Sequence, residues 1–362
     1  MPIISRLLNK DVYFYGEGDS YVNAFKNVVS LLGVNSKGVN FLSTVEEVLA
    51  LKNGTLFLGL GGVKLNLIIS KCQREDLTIV TYFPGIIHMD AVLSIFSRAS
   101  SDVVILPNKY SYDLFRKVQQ KLSFNCSYFV LPYLLDLQKN DFPNTVKSER
   151  SLFIEQSIVP ASEQERHKLI LILFEFAKKH PSRELIILVR DSLNSPHAVT
   201  HCIFDIIDKF SLEKPHNVNI VCGSSSAYIN YCDHVISCTS TVVLDAAFKN
   251  KSISILPLRK PYQYGQDLFF DTGLITEIIT PTNKLNRRSK WFENHIFYDR
   301  YLQSPYELNK KYYDFPLSFF LFLKLLACNF SLHFRLDSVL VRSIIRSMKF
   351  AIKYNKIHRG KN

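Results

Sequence analysis

His234–Val–Ile–Ser–Cys–Thr–Ser–Thr–Val–Val–Leu–Asp–Ala–Ala–Phe248 is the stretch on which the reading of the fold turns. Ala227–Ile236 reads as a short helix giving way to a brief apolar strand, and from Val242 the pattern becomes helical. Ser237–Cys–Thr–Ser–Thr241 therefore sits where a strand hands over to a helix. Such a helix start offers unpaired backbone N–H groups and the positive end of the macrodipole, which suits a phosphate or carboxylate. An ordinary Ser/Thr N-cap accounts for the same residues. Both readings stay open on this stretch alone.

The same alternation runs outward on both sides. Asp11–Tyr15, Thr55–Gly59, Leu77–Tyr82 and Val103–Leu106 read as short apolar strands separated by helical runs, one through Leu32 and one from about Tyr112. Asp136–Arg150 is polar and aperiodic, a linker, after which the pattern restarts. Leu152–Ile154, Glu184–Arg190, Asn217–Val221, His234–Ile236 and Ser252–Leu256 are the strands of the second half. Ser162–Glu–Gln–Glu165 resembles a capping box opening a helix through Lys179, and His201–Phe210 is a further helix. Buried strands alternating with helices mark doubly wound parallel sheets. The expectation is an α/β chain of two tandem halves facing a cleft: residues 1–140, residues 151–283, and a basic helical segment over 284–362.

Composition narrows the class. Hydrophobic residues make up 47% of the 362 and charged residues 21%, enough for two buried cores. The seven cysteines show no C-x-x-C pair, which reads as thiols of a reducing compartment, and the N-terminus has too short an apolar run for a signal peptide. A cytoplasmic location follows as an expectation. Of the net charge of +12, +11 falls on residues 284–362, with 16 Lys and Arg against 5 Asp and Glu. A basic tail on a neutral body suggests an anionic surface, with a membrane the first reading and nucleic acid the second. Arg342, Arg346, Lys349, Lys353 and Lys356 would form one stripe on a helix suited to anionic lipid, or the solvated face of a packed helix. Leu317–Asn329 is apolar but interrupted by Lys324, short of a membrane span.

Candidate chemistry gathers at the turns after the strands. Gly16–Glu17–Gly18–Asp19–Ser20 places Asp19 where it can act as general base toward a hydroxyl, although spacing alone favours Asp19 or Ser20 as a helix N-cap. Gly59–Leu–Gly61–Gly62 and Phe83–Pro84–Gly85 let backbone approach a ligand, but the glycine run lacks the acidic residue and spacing of a dinucleotide fingerprint, which excludes NAD. Arg190 and His197 follow the strongest strand of the second half, where a phosphate-facing cation is useful. No P-loop, G-x-S-x-G or H-E-x-x-H motif is present, no acidic metal cluster is evident, and the turns lack the basic and aromatic interleaving of a nucleic-acid enzyme. No cofactor or metal is expected.

The ordered pieces Gly18–Tyr21, Tyr82–Ile86, Arg98–Asp102, Glu155–Gln156–Pro160, Glu165–Arg166, Ala177–Pro181, Leu188–Arg190, Cys238–Thr241 with Asp245–Ala246, and Phe269–Leu274 together resemble a family of uncharacterised bacterial glycosyltransferases from capsule and lipopolysaccharide clusters. The resemblance spans about residues 11–276. It implies a GT-B fold of two Rossmann-like domains, with the nucleotide-sugar donor held mainly by the second. More distantly the chain is similar to bacterial sialyltransferases, in which a His–Pro element and a Ser/Thr-rich turn hold a CMP donor. Here His180–Pro181 precedes its strand, and Pro196–His197 is reversed. On a transferase reading Asp19 is the expected catalytic base, with Arg190, His197, Ser240 and Thr241 toward the donor, and the resemblance adds the acidic residue after the Ser/Thr turn, Asp245. Glu17, Ser20, Gly61, Gly62, Pro84, Gly85, Glu155 and Gln156 would line the cleft. The expected partners are a nucleotide sugar, a glycan or lipid-linked glycan acceptor, and the anionic inner-membrane surface. A UDP-hexose transferase, a CDP-polyol phosphotransferase and a non-catalytic binding protein are the alternatives.

Overall fold

A computed structural model describes residues 10–34, 38–72, 76–87, 92–122, 126–135, 149–156, 159–189, 201–223, 225–261 and 264–296, together with Leu7. The basic stripe 342–356, the apolar run 317–329, most of the linker and residues 190–200 with Arg190 and His197 lie outside the described residues. The chain divides into two compact units, meeting between Tyr133 and Leu134, with the second running to Ile296.

The first unit is built on a six-stranded parallel sheet. Its elements in chain order are β1 (Val12–Gly16), α1 (Asp19–Leu31), β2 (Val39–Phe41), α2 (Val45–Ala50), β3 (Asn53–Gly59), α3 (Gly62–Lys71), β4 (Asp76–Tyr82), α4 (Val92–Arg98), β5 (Val103–Leu106), α5 (Lys109–Leu122) and β6 (Ser127–Val130). The spatial order is β2-β1-β3-β4-β5-β6. The central strands are covered on both faces: β3 and β4 each bury six of seven residues and β5 all four. That is why they read as continuous apolar runs rather than alternating ones.

The second unit repeats the plan on five parallel strands in the order β11-β10-β7-β8-β9. It comprises β7 (Arg150–Ile154), α6 (Glu163–Lys179), β8 (Glu184–Val189), α7 (Ile203–Lys209), β9 (Val218–Cys222), α8 (Ser225–Tyr231), β10 (His234–Ser237), α9 (Val242–Phe248), β11 (Ser252–Ile255), a 3-10 helix (Gln266–Thr272) and α10 (Lys290–His295). α6 starts as its sequence requires: Ser162 Oγ accepts from the Glu165 N–H, acidic Glu163 and Glu165 occupy its first turn, and Lys178 and Lys179 its last. Tandem Rossmann-like units of this kind are the chain order of the GT-B class.

The differences from expectation have local causes. β2 escapes a reading by apolar runs because it is three residues long with only Val39 buried, whereas β6 is as long and as buried as β5 and carries a signal of the same kind. Arg150, read as the end of the linker, is the first residue of β7. Lys284–Ile296, read with the basic tail, belongs to the second unit: Lys284 bridges to Ser252, and the Trp291 indole N–H donates to Leu268 O at 2.5 Å.

The lower edge of the second sheet is stapled by polar groups. Arg183 pairs with Asp233 through two contacts of 2.6 and 3.1 Å, and the Asp233 carboxylate also accepts from the Arg150 N–H. Asn217 donates to the carbonyls of Ala177, His180 and Arg183. His180–Pro181 lies in this edge, at the N-terminal end of β8 and opposite the strand ends where ligands bind. It is part of the scaffold. Buried His234 bridges Ser151 and Ser254 across three strands, and burial pushes its pKa down to about 3, so it stays neutral.

Candidate functional site

Each sheet has one place where the strand order reverses, and there the loops at the carboxyl ends open a crevice. In the first unit this point lies between β1 and β3, and in the second between β7 and β10. The glycine turns and the Ser/Thr turn singled out in the sequence fall at these two points.

In the first unit Gly16 of β1 is paired with Gly59 of β3. A Cβ on Gly59 would lie 2.6 Å from Tyr82 Oη, and one on Gly16 would lie 2.4 Å from the Phe14 ring. The Tyr82 hydroxyl cannot simply withdraw, because it donates to Tyr21 O at 2.9 Å. Gly59→Ala is therefore expected to destabilise the first unit by about 1–3 kcal/mol through overpacking, read by chemical denaturation. Past this crossing, the Glu17 N–H donates to Gly59 O at 3.0 Å. The Glu17 carboxylate accepts from the Tyr15 hydroxyl at 3.1 Å and is ion-paired with Lys64 on α3. That hydrogen bond holds the Lys64 pKa above its ordinary value, while burial raises that of Tyr15.

α1 begins at Asp19, but its N-cap is Gly18 at φ 86°, with no side-chain cap. The cap expected at Asp19 or Ser20 is therefore not made by either: a left-handed glycine turns the chain instead. Asp19 stands at the carboxyl end of β1 as the first helical residue, and Ser20 is exposed. Gly61, at the N-cap of α3, and Gly62, its first residue, flank the same crevice from β3. Pro84 and Gly85 follow β4 in a half-buried bend.

In the second unit two glutamines hold the loops. Gln156, just past β7, receives the Thr239 N–H on its Oε1 at 3.0 Å and donates from Nε2 to the Thr239 hydroxyl at 3.0 Å. Gln266, 1% exposed, donates to Cys238 O and Leu256 O at 3.1 and 2.7 Å and accepts from the Leu258 N–H at 2.9 Å. Gln266 thus ties the ends of β10 and β11 together. No motif announced it. The loop after β7 is held from below by Arg166 on α6, which pairs with Glu155 at 3.0 Å and donates to Pro160 O and Gln156 O at 2.9 and 2.6 Å. Glu155 and Arg166 are 2% exposed each, so Glu155 belongs to the frame.

The Ser237–Thr241 turn spends its acceptors on the backbone of the turn and of the first turn of α9. Thr239 N–H goes to Gln156, Ser240 N–H to Ser237 Oγ at 3.1 Å, Val242 N–H to Ser240 Oγ at 3.3 Å, and Val243 and Leu244 N–H to the carbonyls of Ser240 and Thr241. Thr241 holds the N-cap position with helical dihedrals and no side-chain cap bond. Neither expected reading survives whole. The cap work is done by Ser237 and Ser240, and the anion donors left without a protein partner among the described residues are the Thr241 N–H and hydroxyl. The Ser240 hydroxyl proton adds a third. Cys238 beside them is no nucleophile, since burial pushes its thiol up to about 12. Asp245 is half-buried on α9.

A cavity of about 630 Å³ adjoins this turn, walled by Cys238, Pro160, Leu169, Ile172, Leu256 and Leu258, with Gln164, Glu165, Lys168, Arg259 and Glu277 also lining it. An apolar floor with a few polar groups, at this volume, is the usual build of a small-molecule site. Among the described residues no three His, Cys, Asp or Glu side chains gather as a metal site, and no helix is long and apolar enough to cross a membrane.

A family model described as "Putative glycosyltransferase (DUF6716)" matches residues 26–257. No curated protein sequence matches the chain. Among solved structures it is similar to UDP-GlcNAc 2-epimerase from Neisseria meningitidis bound to UDP-GlcNAc, with 13% identity and a TM-score of 0.47 over 90% of this chain and 95% of that one. It is also similar to HepE from Anabaena in complex with UDP-glucose, with 12% identity and a TM-score of 0.43 over 75% and 85%. A third likeness is to TarM from S. aureus in complex with UDP, with 12% identity and a TM-score of 0.40 over 81% of this chain and 55% of that one. The chain thus spans about half the length of that third protein.

Proposed function

Because the chain belongs to the DUF6716 family of putative glycosyltransferases, we propose that it moves a sugar from a nucleotide donor held by the second unit to a growing surface glycan. The observation that supports the reading is that the second unit holds, past β10, both the unspent donors of Thr241 and a cavity of about 630 Å³ whose wall includes Cys238 of the same turn. A donor phosphate would take the Thr241 N–H and the hydroxyls of Ser240 and Thr241, and its base the apolar cavity. A nonulosonic acid carried on CMP is the donor we favour, on the family resemblance, with a UDP-hexose the alternative and polyol-phosphate transfer from a CDP donor a third. Arg190 and His197, which follow β8 in the sequence, are the cations proposed to offset the phosphate charge in place of a metal. Asp245, one helical turn into α9, is kept on the donor side.

Asp19 is the proposed general base, as the first residue of α1 after the carboxyl end of β1. The acceptor is a capsule or lipopolysaccharide glycan, free or lipid-linked. The basic residues between 284 and 362 would hold the enzyme on the anionic cytoplasmic face of the inner membrane.

A thermal-shift panel of CMP, UDP and GDP tests the donor site. A nucleotide at a hundredfold excess over its Kd is expected to add about 2.7 kcal/mol of stability. Thr241→Val should remove most of the stabilisation by CMP or UDP while leaving the unliganded melting point within a degree or so of the parent, because its side chain makes no cap hydrogen bond. If no nucleotide stabilises the protein, the enzyme reading gives way to the binding-protein one. The mass of the product separates sugar transfer from polyol-phosphate transfer.

A further inference from the structure

Arg98 is completely buried in the first unit. Its Nε–H donates to Tyr82 O at 2.9 Å, its Nη1 to Ser94 O and Ser94 Oγ at 2.8 Å each, and its Nη2 to Leu60 O at 3.3 Å and Tyr21 Oη at 3.1 Å. Its guanidinium also lies 4.1 Å from the centre of the Phe83 ring. Every one of these acceptors is neutral, and among the described residues no carboxylate pairs with it. Arg166, equally buried in the second unit, has Glu155. Hydrogen bonds satisfy the donors of Arg98 but leave a full positive charge without a counter-ion among the described residues in a low-dielectric site, which is costly.

The charge is directed toward the β1/β3 reversal through one group. Tyr21 Oη accepts from Arg98, so its own proton points elsewhere, and it has no acceptor among the described residues. A hydroxyl that accepts from a cation is a stronger donor in its turn. What lies next to it is Gly61: a Cβ there would stand 3.0 Å from Tyr21 Oη and 3.7 Å from Arg98 Nη2. A missing side chain leaves that space to a ligand atom. A purely structural staple joining β3, β4, α1 and α4 accounts for the hydrogen bonds. It does not account for the lack of a carboxylate beside Arg98 among the described residues.

We infer that the first unit has a subsite for an anionic oxygen group of the acceptor, a phosphate or a carboxylate, seated beside Gly61 with Tyr21 donating to it and Arg98 as positioning residue. The word acceptor rests on the transferase reading; the anion subsite does not.

The test uses the full chain labelled with ¹⁵N-glycine, whose 13 glycine signals include Gly61 and Gly62. Inorganic phosphate and, separately, acetate are titrated in. The expected result is a saturable shift of the Gly61 and Gly62 amides with at least one of these anions, the better of the two naming the group. Tyr21→Phe, which keeps the ring, should weaken that binding at least tenfold. Gly61→Ala should do the same. Arg98→Lys, which keeps the charge, should stay within about threefold of the parent. No saturable shift with either anion, or parental affinity in Tyr21→Phe, overturns the inference. So does an Arg98→Lys protein that is folded by circular dichroism and yet binds as poorly as Tyr21→Phe. The nucleotide panel is independent of these readouts. Its failure with a surviving shift at Gly61 would remove the transferase reading alone, and the reverse pattern would remove only the anion subsite.

Discussion

Arg166→Met is expected to cost the second unit about 3–5 kcal/mol of unfolding free energy, because it leaves the Glu155 carboxylate buried without its partner. The loss is larger than a contact count suggests, since the same guanidinium holds Pro160 O and Gln156 O, and Gln156 in turn clasps Thr239. The measurement is simple to localise. Trp291 is the protein's single tryptophan, it is buried in the second unit, and its fluorescence follows that unit in urea. A control separates charge from shape: Glu155→Leu combined with Arg166→Met removes both charges and should recover a substantial part of the loss. If the single variant unfolds within about 1 kcal/mol of the parent, the pair is not what holds the loop after β7.

Asp19→Asn is expected to lower the transfer rate about 10²–10⁴-fold, the range for losing a positioned general base. Stabilisation by the donor nucleotide should remain, since Asp19 lies in the first unit and the proposed donor groups in the second. The change keeps size and polarity and adds no bulk to the start of α1. Product mass and nucleotide release, measured with the donor chosen by the thermal-shift panel, give the rate. Full activity would take Asp19 out of the mechanism. Attention would then move to Glu17, the acid at the same reversal already paired with Lys64.

The two sheets were legible because their central strands are apolar on both faces, so β3, β4, β5, β8 and β10 stand out without any alternation. β6, Ser127–Tyr–Phe–Val130, carries the same signal but follows its helix closely. The box of Thr44 and Glu47, which closes both its hydrogen bonds at the start of α2, was readable from spacing and went unread. Turns told less than strands. The hydroxyls of Ser237 and Ser240 look like ligand groups in a sequence and prove to be caps for their own backbone. Arg98 could be picked out as part of a motif, but its burial without a counter-ion depends on residues 16 and 77 positions away, Tyr82 and Tyr21. Gln266 gave no signal at all, because a glutamine that ties three backbone groups looks like any other in a 3-10 turn.

The clasp of Gln156 on Thr239 and the tie of Gln266 between β10 and β11 have a bearing on how kinetics can be interpreted. Amides and hydroxyls do not change charge anywhere near neutrality, and the one thiol beside them is held protonated up to about pH 12. These direct clasps are therefore indifferent to acidity near neutrality, while the frame beneath them rests on the Glu155–Arg166 pair. On the proposed function, a slope in a pH–rate profile near neutrality would belong to the reacting groups and the sugar nucleotide rather than to titration of the two glutamines. The two glutamines make the turn a silent background against which an acid and a base can be counted.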